Sequence, residues 1–346
     1  MTRTPDAPAG VSWRWSYALR GLVTAAPAAA AAFSDVQLAA GLAVGLLPVC
    51  PLPLPPSRTG RLRLGVYGVL AAVSIFLGGV LAQWPVAAVA GMVLAGGALG
   101  YAVDRLARPA TMLGVLLCLP LLAVGFSYPG TDTVSGLAAD ILLGSAWSLL
   151  VAVAWPTAST GPAAAGHAGA ALPPPGVMVR YGWTAGSAGA VCAAIGFAAD
   201  LEHVGWAPAA ALLVMRPNPP VQEMRSFDRL ADVAIGAAAA GLLVIVGPPT
   251  WVYAAAIALV GVAATATAGS RWYVLPTFTT FLVFVLLLAR DPADAQERFW
   301  ERVLETALGI AVAAVATFVV LPALTRRAAA RSSSSPAADS DAGRRA

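Results

Sequence analysis

The chain has 346 residues, 59% of them hydrophobic and only 11% charged, with a formal net charge of +4. A soluble domain carries about 25% charged residues, so a water-soluble globular fold is excluded. The basic residues, all Arg, are spread along the chain and sit at the ends of apolar runs, which argues against a nucleic-acid partner.

Many apolar runs approach or exceed the ~18 residues that suggest a membrane crossing. They are apolar all round, whereas a membrane β-barrel alternates apolar and polar residues in segments of roughly 10. The expected fold is all-α, a polytopic transmembrane bundle of about 12 spans with the lipid bilayer as its surroundings. A polar tail (1–12) precedes an aromatic group, Trp13, Trp15 and Tyr17, at the membrane boundary. Span 1 runs to about Phe33 and reads as retained, because no cleavage region precedes it. Ser34 and Asp35 turn the chain into span 2, from Val36 to about Pro51. Spans 3 to 6 cover about Leu64–Ala82, Pro85–Ala102, Ala110–Phe126 and Ser135–Pro156. An Ala/Gly/Pro-rich linker (157–178) follows. Spans 7 to 12 then cover about Val179–Ala198, Val204–Met215, Leu230–Val246, Trp251–Ala268, Tyr273–Leu288 and Val303–Leu321. The tail from 323 is rich in Arg, Ser and Asp and is expected to be disordered.

At an offset of 166 residues, Leu46 falls on Leu212, Pro51 on Pro217, Arg63 on Arg229, Arg105 on Arg271 and Pro156 on Pro322. Matched Ala or Leu would mean little here, but Arg and Pro matched at span boundaries predict two six-span repeats, 13–156 and 179–322. An even number of spans per half makes the repeats parallel. Arg placement puts both termini in the cytoplasm, since the outer loops hold only Arg290, Arg298 and Arg302, offset by nearby acids.

No phosphate loop, HExxH or CxxC motif is present, and Ala185-Gly186-Ser187-Ala188-Gly189 misses the first glycine of a nucleophile elbow. The chain is expected to have no enzymatic activity, no cofactor and no metal. The three cysteines, Cys50, Cys118 and Cys192, are scattered singly in apolar runs and form no disulfide framework.

The strongest functional pointer is the paired interruption of spans 2 and 8 by Pro51 and Pro217, because interrupted helices at matching places in two repeats mark transport sites. The plainer reading is that these prolines only end two helices. Arg216 and Arg229, with Arg63 as the other half's version, suggest an anion-recruiting mouth on the inner side; a positive-inside signal, with Arg229 paired to Asp232, would look the same. Arg20 lies about 10 Å into span 1 at 1.5 Å per residue. Its stem can reach the inner surface, or its head can line a pathway. Asp140 and Glu305 are candidate proton carriers, though acids near a helix N-terminus are also favoured there without any function. Thr277 and Thr280 make span 11 the most polar of the runs and could face substrate. Gly41/Gly45 and Gly182/Gly186 have the spacing of close helix contacts.

Trp206 with its apolar run, Arg216-Pro217, Arg229, Ala234-Ile235-Gly236 and the closing run Arg302 to Pro322 with Gly309 inside resemble the fusaric-acid-resistance-like family of integral membrane transporters. The resemblance is clearer in the second half. It implies an inner-membrane exporter of small organic, often aromatic, carboxylic acids, driven by the proton gradient. Larger members insert a soluble domain after a membrane block; here only the linker stands there. The expected partner is therefore a small organic anion. A passive anion channel and a membrane scaffold remain alternatives, and pairing as a homodimer is open.

Overall fold

The computed structural model describes residues 13–106, 109–156, 176–215, 219–267, 274–288, 295–320 and 322–323. Among them the structure is helical throughout, with no strand. The helices in order are α1 (Trp15–Ala31), α2 (Val36–Leu46), the short α3 (Arg58–Leu62), α4 (Gly65–Leu81), α5 (Pro85–Leu106), α6 (Pro109–Gly125), α7 (Thr131–Ala154), α8 (Val177–Ala198), α9 (Trp206–Val214), α10 (Pro219–Val246), α11 (Thr250–Ala266), α12 (Val274–Leu288) and α13 (Ala295–Ala314), which passes into a π-helical segment, Val315–Val320. The linker at 157–175, both tails, Arg216 and Pro217 lie outside the described residues.

Among the described residues, five helical stretches are long and apolar enough to cross a membrane: Arg58–Leu81, Pro85–Leu106, Thr131–Ala154, Asp228–Val246 and Gln296–Val320. Four shorter apolar helices accompany them, α2 among them. The two shortest of the apolar helices, α2 and α9, have 11 and 9 residues. At 1.5 Å per residue they reach about 17 and 14 Å, roughly half of a ~30 Å hydrocarbon core. Asp35 starts α2 by accepting from the Gln37 and Leu38 amides at 2.8 and 3.0 Å, the usual N-cap geometry.

Helix starts depart from the sequence reading in three places. α10 begins at Pro219 rather than Leu230, because a proline at the first helical position lacks only an N–H that would be unpaired anyway. α7 and α13 begin at Thr131 and Ala295, each with an acid, Asp132 or Glu297, in its first turn, where the helix dipole favours it. In the other direction, α2 stops at Leu46, so Pro51 stands in the turn beyond it and interrupts no helix.

Packing runs through small residues, as expected where lipid gives no hydrophobic drive between helices. α1 packs on α11 and α8 on α5; α2 packs on α7 and α9 on α13; α4 packs on α6 and α7, and α10 on α12 and α13; α2 meets α12, and α6 meets α9. At the α5–α8 seam, Gly96 and Gly100 lie against Gly182 and Gly186 so closely that a Cβ on Gly96 would stand 2.4 Å from the Gly182 carbonyl oxygen. Gly41 and Gly45 likewise face α7, and Gly309 faces the backbone of α9 at Ala207 and Ala211. The largest hydrophobic core joins α5, α6, α8 and α9, and a second joins α1, α2, α11 and α12.

Candidate functional site

On α13, Arg298, Glu301, Arg302, Glu305 and Thr306 stand at i, i+3, i+4, i+7 and i+8, which places them along one side of the helix. α13 packs on α9 and α10. α10 carries Arg229, Asp232 and Gly236 at i, i+3 and i+7, and Gly236 lets α12 approach closely enough that Thr280 Cβ would be 2.9 Å from an added Cβ. α9 contributes Trp206 from its first position. Four helices thus converge on one group of polar side chains.

The group is out of water. Arg229, Asp232, Arg302 and Glu305 are 3%, 2%, 5% and 4% exposed, and Trp206, Thr280 and Thr306 are buried with them. Arg229 bonds Asp232 at 3.3 Å. The Arg302 guanidinium stands over the Trp206 ring, 4.7 Å from its centre, a cation–π geometry. Phe284 of α12 lies on the same indole at 5.9 Å.

Burying an ion costs several kcal/mol unless partners replace its hydration. Here that replacement is incomplete. Among the described residues, Trp206 Nε1, Arg229 Nε, Arg302 Nε and Nη1, Asp232 Oδ2, both carboxylate oxygens of Glu305 and the Thr280 and Thr306 hydroxyls have no hydrogen-bond partner. Donors for a small anion, an aromatic wall and a spare carboxylate therefore share one buried place.

Above this group, at the end where α13 begins, an ion-pair network joins α13 to the turn before α9. Arg298 bonds Glu202 through both terminal nitrogens, the Nη2 bond at 2.6 Å, and reaches Glu301 at 3.3 Å. His203 Nδ1 lies 3.2 Å from Glu301, and its ring stacks on Trp206 at 4.1 Å. Glu202, His203 and Glu301 offer three ligand atoms within 4.8 Å of one another. Arg298 already stands among them and pairs with both carboxylates, so the set does not fit a metal ion.

Of the residues singled out in the sequence, the structure brings together Arg229, Asp232, Thr280 and Glu305, with Thr277 three residues before Thr280 on α12. Arg229 is not at an inner mouth. It lies ten residues into α10, because that helix starts early. Glu305 and Asp140 are likewise well inside α13 and α7, so the helix-terminus reading fails for both. Asp140 is half-buried and faces Gly41 on the other side of the molecule. Arg63 is exposed. Arg20 does not reach the surface: it is buried and donates to the Cys50 carbonyl at 2.8 Å, close to an apolar cleft lined by Gly21, Thr24, Ala43, Cys50 and Ile257. Arg216 and Pro217 lie outside the described residues.

The sequence reading missed Arg302, Trp206, His203 and Thr306 as site residues. It assigned Arg302 to an outer loop, although its spacing from Arg298, Glu301 and Glu305 is helical and was the available signal.

Residues 191–316 match the family model described as fusaric acid resistance protein-like. The matched stretch contains every residue of the buried group and of the network above it. No curated protein and no solved structure matches the chain. The apolar helices and this match point to a multi-pass membrane protein.

Proposed function

With residues 191–316 matching the fusaric acid resistance protein-like family, we propose that this chain is a secondary transporter that exports small organic acids, aromatic ones among them, across a bacterial inner membrane. One observation carries the reading: Arg302, buried and lacking partners at Nε and Nη1, stands over the Trp206 ring inside the matched segment. A guanidinium offers forked donors to a carboxylate, and the Trp206, His203 and Phe284 rings suit a planar apolar body.

A twelve-span arrangement of two parallel repeats with both termini cytoplasmic accommodates this site. Its support is that the helix contacts recur when α1, α2 and α4–α7 are matched in order to α8–α13: α1 on α11 answers α8 on α5, and α2 on α7 answers α9 on α13. The short helices α2 and α9 stand at matching places, and α9 begins beside the polar group. The match favours transport over catalysis. A homodimer in the bilayer is compatible with the many apolar side chains exposed on α4, α5 and α10.

Reconstituted vesicles give the test. Benzoate and related aromatic acids should cross in a saturable manner with the wild-type chain, and Arg302→Gln should abolish the flux while leaving folded yield intact. Unsaturable ionic current would identify a channel instead, and equal flux in Arg302→Gln would remove the site.

A further inference from the structure

With both acids ionised, the buried group is balanced in charge: Arg229 and Arg302 on one side, Asp232 and Glu305 on the other, all four buried. That balance constrains what can enter. A carboxylate that takes up the donors of Arg302 brings one more negative charge into a place without water. An uncompensated buried charge is strongly disfavoured, and the usual relief is neutralisation of an acid.

The two acids differ. Asp232 is held by Arg229 at 3.3 Å. Glu305 makes no hydrogen bond through either oxygen, and its nearest positive neighbour is Arg302, one turn away on the same helix. Several elements place titratable or charged groups around it. α13 itself adds Glu301, Arg298 and Thr306. α10 adds Arg229 and Asp232, with Asp228 one turn earlier. α9 and its preceding turn add Trp206, His203 and Glu202, and the turn between α6 and α7 adds Tyr128. α8 carries no acid, only Arg180, Tyr181 and Cys192, with Tyr181 bonded to the Met215 carbonyl. The π-helical segment has no titratable group. Among the described residues, no positive charge besides Arg302 and Arg229 stands in the buried place to balance an incoming anion.

We propose that an organic anion binds this site together with one proton, which Glu305 takes up. The anion displaces Glu305 from the field of Arg302. The released carboxylate binds a proton from solvent and becomes a neutral carboxylic acid, so the site's net charge moves from zero to zero with anion and proton both inside. Glu301 stands one turn nearer the start of α13, between Glu305 and the more exposed Glu202. Anion and proton then cross as an electrically neutral pair, so export is driven by the outward gradient of the acid, the product of anion and proton concentrations, and an inward proton gradient opposes it.

This inference rests on the organic-acid reading, and one experiment separates the two. Purified full-length protein in lipid nanodiscs is titrated with benzoate by calorimetry in phosphate and in Tris, whose different ionisation heats report protons exchanged. The expected result is about one proton taken up per benzoate and an affinity that rises as pH falls, by about tenfold per unit while Glu305 is ionised in the free site. Glu305→Gln, a neutral mimic of the protonated acid, should bind benzoate with no proton uptake and no pH dependence, whereas Asp232→Asn should still take up the proton. Benzoate binding without proton uptake, or with release, overturns this inference alone, and so does uptake that persists in Glu305→Gln. No benzoate binding at any pH overturns the organic-acid reading with it. The wild-type proton count decides the matter even if a variant fails to fold.

Discussion

Both halves of the molecule bury arginines, and they use them in opposite ways. In the first half, Arg61 is fully buried and donates to the carbonyls of Pro55 at 2.9 Å, Ala152 at 3.0 Å and Trp155. Arg20 holds the Cys50 carbonyl. The acceptors are backbone oxygens: those of Ala152 and Trp155 belong to the C-terminal end of α7, where unpaired carbonyls carry the negative end of the helix dipole. These arginines clasp turns to helix ends. In the second half, Arg229 and Arg302 meet an acid and an indole instead; all four guanidiniums keep at least one nitrogen without a partner, so the difference lies in the partners they do have. Few substitutions separate the two arrangements. At the offset of 166 residues, Ala40 stands where the second half has Trp206, and Val66 where it has Asp232; one residue closer, Leu137 stands for Arg302. The lesson is that burial alone does not mark a binding arginine; the nature of its acceptors does.

The sharpest way to break this comparison is to remove one arginine from each half. Arg302→Gln should lower transport at least about 30-fold, since truncating one member of a buried charged set costs 2–5 kcal/mol, about 1.4 kcal/mol per factor of ten. Flux of labelled benzoate, normalised to folded protein, measures it. Arg61→Gln should do the reverse. Losing charge-assisted bonds to three carbonyls costs roughly 3 kcal/mol of stability, visible as a lower thermal midpoint in detergent, while the protein that does fold keeps its flux per molecule. A folded, inactive Arg61→Gln would end the division of roles.

A smaller effect tests whether the helix pairs beneath the two arrangements are equivalent. A Cβ on Gly309 would stand 2.2 Å from the Ala207 carbonyl oxygen, and one on Gly144 would stand 2.5 Å from that of Leu42. Gly309→Ala and Gly144→Ala should each destabilise by about 1–3 kcal/mol, as overpacking does. Only Gly309→Ala should also weaken benzoate binding, because Gly309 is one turn from Glu305 on the helix that carries the site. Equal loss of affinity in both would mean that the first half takes part in binding.

How far the sequence carried this comparison depends on what each residue advertises. Apolar runs gave the helices to within a few residues wherever a proline or a polar turn bounded them, as at Pro85 and Asp35. Helix starts were misjudged at α7, α10 and α13, because an amphipathic first turn with charged residues reads as a loop to any test based on hydropathy. That one error put Arg229 just before its span and Glu305 in the first turn of another, and left Arg302 in a loop. The difference between Arg20 and Arg302 was not legible at all. Both are single arginines beside apolar runs, and only the fold decides whether a carbonyl or an indole lies within reach.

The smallest predicted effect lies in the network above the site. The Arg298–Glu202 pair looks strong, being bidentate. Yet the Glu202 side chain is 63% exposed, and exposed ion pairs contribute only about 0–1 kcal/mol. Glu202→Gln should therefore shift stability and benzoate affinity by less than about threefold, and the shift should shrink as salt rises to ~1 M, where screening acts over ~3 Å. Glu301 differs from it by position rather than by charge. It is less exposed, and it holds His203, whose ring covers Trp206. Glu301→Gln should therefore change benzoate affinity more than Glu202→Gln does, and high salt should not remove the change. If both variants behaved alike at every ionic strength, the network would be a solvated pair of helix ends, with no hold on the ring that covers the site.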